Sequence, residues 1–374
     1  MTCVRRAAVL AAVLLAACAG GAAPDPKDAG APDSADAAVE IDSGTADAGM
    51  GPIRQLYGVA YLVSNGVPDA GQTDPTLVNA YGLCAATMGP LWSAAKETDT
   101  IRAYGPTGVP ASAPVTLRPS SGKPAEPALP TGIACNGQQS FMGDAVIVAT
   151  DTGVIEGWPQ GAAQTTIRVD NSNALAVYKA LALARTANGD RLYATNFRAG
   201  NVEMYDGTYK LLGTFTDTMP PTGYAPFNVT VIEGSLYVTF AKQDGNQRDE
   251  VPGAGNGFVD VFDLTGKLQT RLLSGGALNA PYGIAHSPVD FGRFADVLLV
   301  ANVGDGRINV FDPNYGDVLG SLEMPGFSSI SIDGLHAILF GNDRGAGPHN
   351  TLFFTAGPNG GANGVLGSIV PVAQ

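Results

Sequence analysis

Hydrophobic and polar positions recur along this chain in a four-part pattern that appears six times. Each unit opens on a short segment with a small residue followed by an aliphatic one: Tyr81-Gly82-Leu83-Cys84, Thr131-Gly132-Ile133-Ala134, Lys179-Ala180-Leu181-Ala182, Phe227-Asn228-Val229-Thr230, Tyr282-Gly283-Ile284-Ala285 and Asp333-Gly334-Leu335-His336. With the second residue of each taken as an anchor, at 82, 132, 180, 228, 283 and 334, the gaps are 50, 48, 48, 55 and 51 residues. A near-continuous apolar run follows every anchor, as in Ala145–Ala149, Ser235–Thr239 and Val297–Ala301, and such runs suit strands buried on both faces. A third segment alternates, as in Val202-Glu203-Met204-Tyr205-Asp206 and Val259-Asp260-Val261-Phe262-Asp263. Turn residues then lead into a fourth, outer strand such as 267–273 or 318–322. No segment longer than a turn reads as an amphipathic helix.

Six repeated four-strand units predict an all-β fold, a six-bladed β-propeller. Small anchors are expected where the innermost strands converge on the axis and backbones crowd. The sixth unit lacks an outer strand, and residues 56–63, Leu-Tyr-Gly-Val-Ala-Tyr-Leu-Val, precede the first unit. This segment is expected to complete the last blade, closing the ring and removing an exposed edge.

The ends of the chain add compartment. Arg5 and Arg6 precede an apolar run from Ala7 to Ala17, too short for a permanent membrane span and suited to a signal peptide over 1–17. The run ends Leu15-Ala16-Ala17-Cys18, which resembles the lipobox of bacterial lipoproteins and implies that Cys18 is lipidated. Residues 18–52, Ala-, Asp-, Gly- and Pro-rich, read as a disordered tether, and 53–374 as the propeller. The tether carries seven acids against Lys27, a net of −6. Starting from −13 for the whole chain, loss of the two leader arginines and of this segment leaves about −9 on the propeller. Such a surface excludes nucleic acid as a partner. The expected location is the bacterial cell envelope, on the periplasmic side or the cell surface, with membrane contact through the lipid alone. Cys84 and Cys135 remain as a pair. They sit two and three residues after their anchors, which points them to opposite strand faces, as a disulfide between adjacent blades requires; two buried thiols are the alternative.

The stretch Pro281-Tyr282-Gly283-Ile284-Ala285, then Val300-Ala301-Asn302, then Gly306–Asp312 resembles NHL-type propeller repeats. Residues 52–372 are similar to a family of exported bacterial six-bladed propellers, through segments such as Asn196–Gly200, Tyr224–Asn228, Tyr237–Asp244 and Gly253–Asp263. The resemblance implies fold and export and no particular activity.

In propellers the turns entering the inner strands, and those between second and third strands, surround one mouth of the axial channel. The repeats place Asn79, Tyr81, Thr131, Tyr178, Lys179, Asn196, Arg198, Asn228, Tyr282, Asn302 and Asp333 there. The spacing from second to third strand is 10, 9, 10, 23, 10 and 14 residues. The fourth unit therefore carries an extra loop, residues 242–257, with Lys242, Gln243, Asp244, Asn246, Arg248, Asp249 and Glu250. This is either a lid over the mouth or a tolerated insertion. Asn79, Asn228 and Asp333 would be the nearest approach to a calcium site, but one carboxylate is thin for an ion that takes six to eight oxygens. His286 and His336 fall on inner strands as core residues, and no nucleophile elbow, phosphate loop or zinc spacing is present. The sequence favours a tethered binding or scaffolding propeller whose partner, a protein, small molecule or glycan, meets the ring mouth. The other reading is a calcium-dependent hydrolase or lactonase of the six-bladed type.

Overall fold

A computed structural model describes residues 56–372 apart from 122 and 124. The expected signal peptide over 1–17, the expected lipidation at Cys18 and the expected tether over 18–52 lie outside the described residues. Six sheets, antiparallel apart from a two-residue parallel pairing of Val63 and Ser64 with Gln72 and Thr73, form the blades of a propeller. Blade one comprises Ala80–Ala85, Leu91–Ala95, Thr100–Tyr104 and a short outer strand, Val115–Thr116. Blades two to five repeat this plan with inner strands Pro130–Cys135, Tyr178–Thr186, Tyr224–Ile232 and Pro281–His286. Each inner strand packs beside the next, and that of blade six returns to blade one. Helix is limited to four three-residue 3₁₀ turns among the described residues.

Blade six consists of Leu335–Phe340, Leu352–Ala356 and Val365–Val372, and its outer strand is Leu56–Ser64. Pairing runs antiparallel from Leu56 opposite Val372 to Ser64 opposite Val365. The closing strand is also fixed by side chains. Buried Tyr57 donates its hydroxyl to Phe291 O at 3.0 Å and accepts from Phe294 N at 3.2 Å, tying the clasp to blade five.

All six ladders between inner and second strands shift register around the anchor, between Ala80 and Leu83 in blade one, at the equivalent residues in four others, and between Pro226 and Asn228 in blade four. These bulges crowd the anchors against the neighbouring blade. A Cβ on Gly82 would lie 2.2 Å from Thr131 O, one on Gly132 2.6 Å from the Cα of Ala180, and one on Gly283 2.6 Å from His336 O. The small anchors are therefore packing requirements.

The register corrects one element of the repeat. In blade six Leu335 pairs with Ala356 and Ile338 with Phe354, as Pro281 and Ile284 pair in blade five. The sixth anchor is thus Ala337, three residues beyond Gly334. Gly334 instead occupies the preceding turn with φ +66°, its Cβ position 2.3 Å from Gly357 O.

Blade interfaces are apolar and locally reinforced. Trp92 meets Trp158 with ring centroids 5.0 Å apart, Phe215 meets Phe262 at 5.1 Å, and Cys84 is joined to Cys135 by a disulfide with Cα atoms 5.6 Å apart.

Candidate functional site at the axial mouth

The corrected register aligns the six residues that precede the anchors: Tyr81, Thr131, Lys179, Phe227, Tyr282 and His336. All six are buried, and they form a floor across the axis. Tyr81 stacks on His336 with centroids 3.9 Å apart and meets the edge of Tyr282 at 5.2 Å; Phe227 meets Tyr282 at 5.0 Å. Tyr282 donates its hydroxyl to Lys179 O at 2.8 Å, and Thr131 donates to Tyr178 O at 2.7 Å. The Tyr81 hydroxyl is buried with no hydrogen-bond partner among the described residues.

A charge cluster sits at this floor. Asp151, at the end of blade two's second strand, is 1 % exposed. It pairs with Lys96 at 2.5 Å, from the matching turn of blade one, and with Lys179 at 3.0 Å. The Lys179 ammonium, equally buried, also reaches Asp249 at 3.3 Å and lies 5.8 Å from the Phe197 ring. Burial alone would raise the Asp151 carboxyl, but Lys179 and Lys96 hold it down to about 2. Burial raises Glu250 above the usual carboxylate range against the pull of Lys179. Burial, aided by Lys96, drives His336 down to about 3, so its ring is neutral at physiological pH. The Tyr81 hydroxyl is raised well above its ordinary value by burial and by the nearby carboxylates.

The fourth-blade insertion supplies Asp249 and Glu250. Its fold is fixed at several points. Gln243 donates to Phe197 O at 2.6 Å, Asp244 accepts from Arg248 N at 2.7 Å, Gly253 N donates to Asn279 Oδ1 at 2.7 Å, and Tyr224 donates to Asn256 at 3.2 Å. These contacts attach the loop to the turns of blades three and five. Beside it lies a cleft of about 230 Å³ lined by Asp151, Leu129, Leu175, Arg198 and Arg248 among others.

Most of the remaining sequence-predicted residues bond to neighbouring residues. Asn79 adopts φ +53° and donates to Glu97 at 3.3 Å. Asn196 donates to Glu203 at 2.8 Å and accepts from Ala199 N at 3.2 Å. Tyr178 donates to Glu203 at 2.6 Å. Asn302 donates to Ala277 O at 2.9 Å, and Asp333 accepts from Asn359 N at 2.8 Å. Lys242 is exposed at the end of its strand. Asn228 donates to Tyr282 O at 2.8 Å. Asn79, Asn228 and Asp333 are thus committed to separate partners. No group of three His, Cys, Asp or Glu among the described residues is placed to hold a metal ion.

Two residues of the cluster, Lys96 and Asp151, were missed by sequence reasoning. Both follow directly on a second strand, one residue beyond the position at which Asn196 ends its own, so the repeat carried the signal. His336 belongs to the floor of the site. His286 is partly exposed between Glu233 at 3.8 Å and Asp296 at 3.4 Å, outside the core.

On the other side of the floor the axial channel is apolar. The later halves of all six inner strands line a cavity of about 480 Å³, with Leu83, Ile133, Leu181, Val231, Ile284 and Ile338 among its walls.

No family model matches the chain. Among solved structures it is similar to virginiamycin B lyase from Staphylococcus aureus, with TM-score 0.50 and 13 % identity over 85 % of this chain and 100 % of that one. It is similar also to a luciferin-regenerating enzyme, with TM-score 0.52 and 12 % identity over 84 % and 95 %. At such identities the likeness is one of fold. Two uncharacterised proteins of Acanthamoeba polyphaga mimivirus are related in sequence. R648 is 33 % identical over 86 % of this chain and 82 % of its own length, and L690 is 30 % identical over 86 % and 88 %. These relatives are viral, where the sequence resemblance implied bacterial ones, and nothing in them bears on NHL repeats or a lipid anchor. The chain belongs to the family of six-bladed propellers that includes mimivirus R648 and L690.

Proposed function

We propose that this propeller is a binding module that takes a polar ligand at the mouth bounded by Lys96, Asp151, Lys179 and the fourth-blade insertion. The observation that carries the reading is the buried charge cluster over an aromatic floor. Three ions in a desolvated position are weak evidence of a stabilising role, and perturbed ionisable groups gather at functional sites. The free Tyr81 hydroxyl offers a further contact. A thermal-shift panel of glycans, amino acids and nucleosides on the full chain tests this. A compound that raises the melting temperature of the wild type and fails to do so in Lys179→Met supports the mouth. Hits that ignore Lys179→Met and are lost when Ala182→Phe narrows the opposite channel would move the site there.

Glu250 favours a second reading, an enzyme. A half-buried carboxyl raised by desolvation is suited to proton transfer, and the fold is shared with a lyase and a luciferin-regenerating enzyme. Glu250→Gln would then abolish turnover of a bound compound without weakening its binding. In the calcium-dependent version, a chelator must lower the melting temperature; an unchanged midpoint ends it. Export and lipid anchoring belong to the same proposal, supported by Arg5, Arg6, the apolar run and Cys18. Labelled fatty acid should be incorporated by the wild type and not by Cys18→Ser.

A further inference from the structure

We propose that the ligand class of this mouth is an organic carboxylate, and that Asp249 is its internal stand-in; the inference rests on the binding role proposed above. Lys179 is 1 % exposed, and one side of its ammonium is occupied by Asp151, which is equally buried and shared with Lys96. Its other carboxylate is of a different kind. Asp249 belongs to the insertion loop, its side chain is 59 % exposed, and its contact with Lys179 is the longer of the two, 3.3 Å against 3.0 Å. A solvent-facing carboxylate on a buried ammonium is held weakly, because water competes for the anion while the cation keeps its deeper partner. An incoming carboxylate would make the same contact without desolvating a new cation.

The adjoining cleft supplies what such a ligand needs beyond that contact. Arg198 and Arg248 line the cleft that also reaches Asp151, and both are half-buried. Neither guanidinium has a hydrogen bond or ion pair among the described residues. Each is a planar fork matched to a carboxylate, and two like charges flanking one cleft are stabilised by an anion between them. They stand out on a propeller of net negative charge. Leu175, 54 % exposed on the same cleft, gives an apolar surface for a hydrocarbon body. Asp151 links the cleft to Lys179, and the ligand inferred is a small dicarboxylate, with one end on the arginines and the other on Lys179 after Asp249 gives way.

The test is titration of the full chain with glutarate, and with glutaramide as the uncharged control, at constant ionic strength. Calorimetry and thermal shift are the readouts. Glutarate is expected to bind and stabilise while glutaramide does neither. Arg198→Gln and Arg248→Gln should each weaken glutarate by about tenfold, the scale of losing one charge-assisted contact. Neither arginine holds the fold together, so both variants should melt with the wild type in the absence of ligand. Asp249→Asn should bind glutarate several-fold more tightly, since it removes the competitor; a latch of purely structural purpose gives no such gain. No glutarate binding to the wild type or to Asp249→Asn, or binding indifferent to both arginines, overturns the inference. A neutral compound that binds in a Lys179-dependent way while glutarate does not would overturn it too, leaving the mouth as a binding site for another class.

Discussion

Replacing Asp151 by Asn tests how the buried cluster is balanced. In the fold this carboxyl is held to about 2 against an ordinary value of 3.8. At about 1.4 kcal/mol for each pH unit, the folded protein favours its charged form by roughly 2 kcal/mol. Asparagine keeps the shape and loses the charge, leaving Lys96 and Lys179 in a desolvated position with only the loop carboxylates to face. Breaking a buried pair from one side typically costs about 3–5 kcal/mol, so a loss of about 3 kcal/mol is expected at neutral pH. The pH dependence follows from the direction of the shift. A carboxyl depressed by folding contributes fully above its unfolded value, and the contribution disappears as pH falls through the folded one. Urea unfolding of wild type and Asp151→Asn should therefore differ most near pH 7 and converge towards pH 2. Adding Lys96→Met and Lys179→Met should recover part of the loss, because the orphaned cations are then gone. A variant within about 0.5 kcal/mol of wild type at pH 7, or a gap that stays constant down to pH 2, would refute the reasoning.

Glu156 predicts the opposite slope. Burial raises its carboxyl to about 7, despite bonds from Thr165 and from Arg118 N at 3.0 Å. Stability should fall by roughly 3 kcal/mol as pH rises from the unfolded value through about 7, and Glu156→Gln should flatten that slope in denaturation series at several pH values. Gly132→Val places a side chain against the Ala180 backbone, 2.6 Å from its Cα, and should cost about 2–3 kcal/mol or more by overpacking; an unchanged melting curve would mean the blades are looser than described. Tyr57→Phe removes the hydroxyl shared by Phe291 and Phe294. It should lower stability by about 1–2 kcal/mol in chemical denaturation, with unchanged circular dichroism.

The architecture was legible because each blade repeats one hydrophobic pattern, and pattern is what a propeller needs. The closing strand was legible for a related reason: an apolar run without a partner of its own must find an edge. The sixth anchor was misplaced because Asp333-Gly334-Leu335 imitates the small-then-aliphatic signature. The inner strands are bulged, so the signature alone does not settle register, and only the ladder from Leu335 to Ile338 does. That three-residue shift hid His336 from the floor of the site. Lys96 and Asp151 escaped for another reason. The residue just after the second strand varies among blades, from Lys96 to Asp151, Phe197 and Val303, and nothing in one position's identity announces an ion pair between two turns. Asn196 and Asn302 instead end their second strands, where Asn196 accepts from Ala199 N and Asn302 donates to Ala277 O.

The clasp in blade six also sets the order in which the molecule can become itself. Asn65 accepts from Gly364 N, 299 residues further along, and the strand before it pairs with the strand after it. When the chain is synthesised, the segment 56–64 emerges before any blade and its partner emerges after every other one. Five blades can form by local hairpins while this first strand, rich in Tyr, Val and Leu, waits without its antiparallel partner. Such long-range pairing is slow, and an unpaired apolar strand is where neighbouring chains join. The hazard for this protein therefore lies in the interval before closure, and whatever shields residues 56–64 during that interval governs its yield more than the strength of the finished ring.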